Sequence, residues 1–225
     1  MQFGLIEMWQ AMGAVAKTVA IILIGLSIIT IYMFIERLLV FSRAKKTSRA
    51  VAPRLAELLR SGNLKDALSL STKKENKGSH LARVAAGGIQ AILEGKEAHL
   101  SMEEQLETAT RGAERAKTLF NQELRRGLPV MATIATSAPF IGLFGTIFGI
   151  INAFRGMQLT GSGGIGAVAG GISEALVTTA VGIGVAVLAL WVYNTLNSRI
   201  EIFDAEMANT ESQVVDFFMK SGEAR

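Results

Sequence analysis

Residues 167–193 read AVAGGISEALVTTAVGIGVAVLALWVY. Glu174 is the only charge in this stretch, and the only one in the 43 residues from Gly156 to Ser198. About 20 apolar residues in a helix cross a bilayer core, so the stretch reads as a transmembrane helix. Working outward, Thr18–Ile35 gives 18 residues without a charge and Gly127–Phe154 gives 28. The chain therefore carries spans at 16–39, 128–154 and 167–193. The first is not read as a cleaved signal peptide. Its apolar core is too long, only Lys17 precedes it as a base, and no A-x-A site follows.

The composition agrees. Half of the 225 residues are apolar and the mean hydropathy is +0.37. A net charge of +4 is too small to argue for nucleic acid. The absence of Cys excludes disulfide scaffolds, thiolate metal sites and thiol catalysis. His80 and His99 stand alone in the polar segment and read as surface residues. Gly161–Gly166, GSGGIG, fits the dinucleotide pattern G-x-G-x-x-G, but no strand precedes it and an apolar helix follows. It reads as an outer loop. With no P-loop, metal cluster or Ser–His–Asp spacing, the chain is not expected to be an enzyme or to hold a cofactor.

Lys and Arg counts set the orientation. Residues 1–17 hold one base, residues 36–127 hold 18, the 155–166 connection holds Arg155, and the tail from 199 holds three. The expected order is an outward-facing interfacial helix at 1–15, TM1 at 16–39, and a cytoplasmic helical domain at 40–127. TM2 at 128–154, a periplasmic loop at 155–166, TM3 at 167–193 and a cytoplasmic C-terminal helix at 194–225 complete it. Phe3, Ile6, Trp9 and Met12 share a face of the first element. Trp191 and Tyr193 suit an interface anchor at the inner end of TM3.

In the cytoplasmic segment, Pro53 suits the first turn of a helix that stops at Ser61-Gly62, and Asn63 caps a second. Residues 73–78 read as a loop, and a third helix follows Ser79 and ends near Gly95. Ser101 and Glu104 have capping-box spacing. From there Met102, Leu106, Ala109, Ala113, Ala116 and Phe120 recur at steps of four and three, and the helix is expected to run on into TM2. Leu196, Ile200, Phe203, Met207, Thr210, Val214 and Phe217 repeat that seam in the tail. Such a seam wants a partner helix, in the same chain or a neighbour. The fold class is an all-α membrane protein of three transmembrane helices. Spans two and three extend as long helices into a cytoplasmic bundle.

Glu174 carries the chemistry. An ionisable group within a span costs about 2.5–3.5 kcal/mol on insertion scales, and such groups face a water path or a partner. A carboxyl that gains and loses a proton away from bulk water is what a proton relay requires. Thr178 lies at i+4 on the same face and Thr179 one step round, and their hydroxyls can bond the carboxyl or a water. Thr133, Thr136, Ser137 and Thr146 add hydroxyls on TM2, where back-bonding to the helix's own carbonyls is the plainer reading. Pro139 is a site for a kink. Gly142, Gly145 and Gly149, with Gly182 on TM3, let helices approach backbone to backbone. Small residues on several faces of TM3 point to an oligomer. Glu174 alone cannot form a channel and calls for a counter-group on another chain.

Residues 138–150, APFIGLFGTIFGI, and 171–182, GISEALVTTAVG, resemble the second- and third-span signatures of the ExbB/TolQ/MotA proton-channel family, the latter in its ExbB/TolQ branch. The layout of spans and basic segment is similar too. The resemblance implies a homopentameric ring around two copies of an ExbD/TolR-like single-span protein in the bacterial inner membrane. It implies a periplasmic N-terminus, a cytoplasmic C-terminus, and a possible TonB/TolA-like or gliding partner. Proton flow would drive motion, with no cofactor beyond the transmembrane proton gradient. The family's essential Glu falls on Glu174 and its pathway threonines on Thr146 and Thr179. A Pro-Gly common before the third signature is Gly170-Gly171 here, and a later Pro is absent from Ala186-Val187-Leu188. The branch stays open among TonB energising, Tol–Pal work and a gliding motor. The other reading is a non-conducting membrane scaffold whose Glu174 only fixes helix packing. A membrane enzyme with Glu174 as general acid lacks a second catalytic group.

Overall fold

A computed structural model describes Trp9 and residues 12–160 and 165–223. Six helices and one 3₁₀ turn are found among the described residues, with no strand. They are α1 (Ala14–Arg60), α2 (Leu64–Thr72), the turn Lys74–Asn76, α3 (His80–Glu97), α4 (Met102–Arg125), α5 (Leu128–Thr160) and α6 (Ile165–Glu223). The chain divides into two compact units. One takes the chain up to Ile35 with Gly127–Thr195, the other Glu36–Arg126 with the chain from Leu196. Except for Trp9 and residues 12–15, the interfacial element expected at 1–15 lies outside the described residues, as does Gly161–Gly164 of the expected outer loop.

The first unit is built from the starting portions of α1 and α6 with α5. Each of these helices is long and apolar enough to cross a membrane. Val19, Leu23, Ile134, Ala138, Val185, Ala186 and Ala189 form its buried core. Phe34 and Trp191 stack at a tilt, 5.6 Å between ring centres. Ile21, Ile28, Phe140, Leu176 and Val187 face outward. An apolar surface this continuous is untenable in water and ordinary against lipid. The helix α5 passes Pro139 without interruption. It also continues to Thr160, so the connection expected to begin at 155 is helical for its first six residues.

The second unit buries Val51, Leu55, Leu59, Ala85, Ile89, Ile92, Ala109, Val214 and Phe218 in one cluster. Side chains cap its helices. Asn63 accepts from the Asp66 amide and Ser79 from the Ala82 amide, at 3.3 and 3.1 Å. Ser101 and Glu104 exchange both bonds of a capping box. At the α3–α4 crossing an added Cβ on Gly112 would stand 2.4 Å from the Gly87 carbonyl oxygen, so only glycine permits it. The α6 seam is buried at Leu196, Ile200, Phe203, Met207, Thr210 and Val214, and ends on Phe218. Its partner is in the same chain: Lys117 pairs with Glu211 at 2.7 Å and Asn121 donates to Asp204 at 2.8 Å.

Three expectations are corrected here. No new helix begins at Pro53, which lies inside α1. A proline within a helix costs about 3 kcal/mol. Here Val51, Leu55 and Leu59 are buried on one side and Pro53 is exposed on the other, so the core holds the helix together and water reaches the freed carbonyl. Nor does α4 run unbroken into α5. Gly127 has φ +88° between them, a conformation glycine takes without penalty, and Pro129 suits the first turn of the next helix.

The third correction is His80, which is buried, 1% exposed, while His99 is exposed at φ +54° after α3. His80 Nε2 donates to Glu206 at 2.6 Å, and its Nδ1 accepts from the Ser48 hydroxyl at 2.9 Å. Ser79 is 2.8 Å from Ser48, and Phe203 meets the ring edge-on. Burial holds the imidazole below its ordinary value of 6.5, with Glu206 pulling the other way. The unfolded chain therefore binds a proton near pH 6.5 that the folded chain refuses. Stability is complete above that pH and falls as pH drops, until the folded imidazole itself titrates. The thermal midpoint of the detergent-solubilised chain, followed by circular dichroism, should decline on acidification below 6.5. His80→Gln should flatten that part of the curve. Parallel wild-type and His80→Gln curves would refute the assignment.

Candidate ion-conducting site

Glycines on α5 decide how near α6 can come. An added Cβ would stand 2.8 Å from the Thr178 carbonyl oxygen at Gly142, 2.7 Å from the Thr178 hydroxyl at Gly145, and 2.8 Å from the Ala175 Cβ at Gly149. From the other side, Gly182 would meet the Ala138 carbonyl oxygen at 2.7 Å. These four glycines thus bring the two backbones together, as the small-residue spacing predicts.

The close approach puts threonine hydroxyls within reach of the opposite helix. Thr146 on α5 donates to the Ala175 carbonyl oxygen on α6 at 3.2 Å and also contacts its own Gly142 carbonyl. Thr178 on α6 donates to Ala175 at 2.7 Å and reaches across to the Gly142 carbonyl at 3.2 Å. Thr146 and Thr179 are joined hydroxyl to hydroxyl. Thr146 and Thr178 are buried and Thr179 is partly so. Thr133, Thr136 and Ser137 instead bond carbonyls of their own helix, at 2.7–3.0 Å.

Glu174 is partly buried one turn before Thr178 on α6. Its carboxylate Oε1 accepts a hydrogen bond from the Gly13 main-chain amide at 2.6 Å. Gly13 immediately precedes α1, and its carbonyl accepts from the Lys17 amide at 3.0 Å, the first bond of that helix. Glu174 thus caps α1 from another helix. Sequence reasoning passed over Gly13 because a backbone donor has no side chain to read. Thr178 and Thr179, read as able to bond the carboxyl or a water, bond a carbonyl and a hydroxyl of the opposite helix. The site therefore has two parts: a titratable carboxyl docked on an amide, and a row of interhelical hydroxyls on the next turn.

Three apolar helices with one carboxyl and a hydroxyl-bonded crossing among them define a multi-pass helical membrane protein with an ionisable intramembrane site. The chain belongs to the MotA/TolQ/ExbB proton channel family, whose model matches residues 76–209. That range holds Glu174, Thr146, Thr178 and Thr179, but not Gly13. The chain is similar to the biopolymer transport protein ExbB of Pseudomonas putida, 32% identical over 88% of this chain and 59% of that protein. It is also similar to the Tol-Pal system protein TolQ of Haemophilus influenzae, 28% identical over 92% and 90%. The biopolymer transport protein ExbB of Salmonella typhimurium is 30% identical over 92% and 83%.

Proposed function

We propose that this chain is a ring-forming subunit of a proton-driven motor in the bacterial inner membrane, coupling ion flow to mechanical work on periplasmic or outer-membrane partners. The observation that carries the reading is Glu174, a lone acid within the spans, beside a hydroxyl-bonded helix crossing. The family description and the names of the relatives, biopolymer transport and Tol-Pal, support it. The chain contributes conduction and not catalysis, and the energy source is the transmembrane proton gradient. The N-terminus faces the periplasm and the C-terminus the cytoplasm, on the Lys/Arg distribution. The ring is a homopentamer around two copies of an ExbD/TolR-like single-span protein, and a TonB/TolA-like protein or a gliding apparatus receives the work. Glu174 holds the proton, and Thr146, Thr178 and Thr179 line its path.

A charge crossing 100 mV releases about 2.3 kcal/mol, enough to bias a small angular step. The test is proton flux into proteoliposomes that hold this chain assembled with its single-span partner. An imposed gradient should drive flux that needs both proteins. An assembled complex that passes no protons would leave the scaffold reading in its place.

A further inference from the structure

The contact between Glu174 and Gly13 joins the titratable group to a segment that the family model does not cover. The first amides of a helix lack intrahelical partners and carry a partial positive charge. A carboxylate bonded there gains a charge-assisted hydrogen bond, about twice as strong as a neutral one. Once the carboxyl takes up a proton, the charge-assisted part is lost and the acceptor weakens. The contact therefore reports the charge of Glu174. Among the described residues, the other charged side chains of this unit are Lys17 on α1 and Arg155 on α5; the sequence adds Glu7, which lies outside them. Among the described residues no ion pair joins either to Glu174; the ion pairs all lie in the second unit.

We propose that the Gly13 amide is a positioning group for Glu174: it holds the ionised carboxylate at the start of α1 and releases the protonated one. This rests on the proton-carrying role proposed for Glu174. A carboxylate fixed on its donor waits in one place for a proton. A neutral carboxyl set free can swing to the partner or the hydroxyl row. Gly13 suits the task for a local reason. An alanine there would place its Cβ 3.9 Å from Oε1, so a small side chain is tolerated and the amide is the part that matters.

The test follows the Gly13 amide in the full chain labelled with ¹⁵N-glycine, in lipid nanodiscs, with Gly13→Ala assigning the resonance. Its shift should move with pH in the wild type and stay still in Glu174→Gln, where no charge appears. Its hydrogen exchange should be about tenfold faster in Glu174→Gln, the loss expected for a bond to a charged group. Gly13→Pro, which removes the donor, should lower proton flux in the assembled complex at least tenfold, while Gly13→Ala preserves it. Circular dichroism melting separates this from misfolding. If Gly13→Pro is misfolded, the wild-type and Glu174→Gln spectra still decide. An amide that ignores pH and exchanges equally in both proteins overturns the proposal, whatever the flux. A pH-sensitive amide in a complex that conducts nothing overturns the ion-carrying reading and leaves the contact a structural cap.

Discussion

Glu174→Gln should assemble normally and abolish gradient-driven work. Glutamine fills nearly the same volume, although its neutral oxygen holds the Gly13 amide far less firmly than the carboxylate does at 2.6 Å. Helix packing should therefore survive, and insertion should improve, because an uncharged side chain is cheaper within a span. What disappears is the capacity to bind and release a proton. Flux in proteoliposomes should fall to the level of vesicles without protein. Glu174→Asp supplies the second arm. It remains an acid but draws the carboxyl back by one methylene, more than an ångström from the donor. A displacement of that size costs about 10²-fold where geometry governs the rate. The order expected is wild type, then Asp far below, then Gln at background. A Gln variant that still works would show that Glu174 serves packing alone, and a fully active Asp variant would show that its position is not critical.

The spans were legible because a bilayer imposes a rule that a single sequence must display: long runs without charge. Glu174 stood out by breaking that rule. The capping signals at Asn63 and Ser101 were legible for the same local reason, since each cap needs a particular side chain at a fixed offset. Misreadings arose where a local signal met a tertiary override. Pro53 is a helix-starting residue in isolation, and a buried face on the opposite side of α1 carries the helix through it. At Gly127 the error ran the other way. The heptad-like pattern before it argued for continuity, and the Gly-Leu-Pro triplet was sufficient to break it. His80 was read as exposed because a solitary histidine in a polar stretch has no pattern to mark burial. Its partners Ser48 and Glu206 lie 32 and 126 residues away in sequence. The Gly13 contact spans 161 residues and involves only main chain on one side. No periodicity encodes such a pair.

Gly142→Val should disrupt the first unit outright, and Gly184→Val should not. At Gly142 the first added carbon would already stand 2.8 Å from the Thr178 carbonyl oxygen, 3.0 Å from the Thr179 Cα and 3.3 Å from the Gly182 Cα. These are main-chain atoms that cannot rotate away. Valine adds two further carbons, so α5 and α6 must separate or shift in register. Separation breaks the Thr146–Ala175, Thr178–Gly142 and Thr146–Thr179 bonds together. Overpacking costs typically 1–3 kcal/mol, and interhelical hydrogen bonds in membranes add about 0.6 kcal/mol each. Together these losses come to about 3–5 kcal/mol, and the variant should melt early, resist purification and pass no protons. An added carbon at Gly184 meets nothing within 4 Å in the chain. With the packing inside one chain unaffected, Gly184→Val should melt close to wild type. Its oligomer then becomes the informative measurement. A ring that packs a neighbour against the Ala180–Gly184 face should dissociate in native mass spectra of this variant while each subunit stays folded. An intact ring would place the subunit contacts on another face of α6, and an unfolded subunit would show that Gly184 is filled from within the chain.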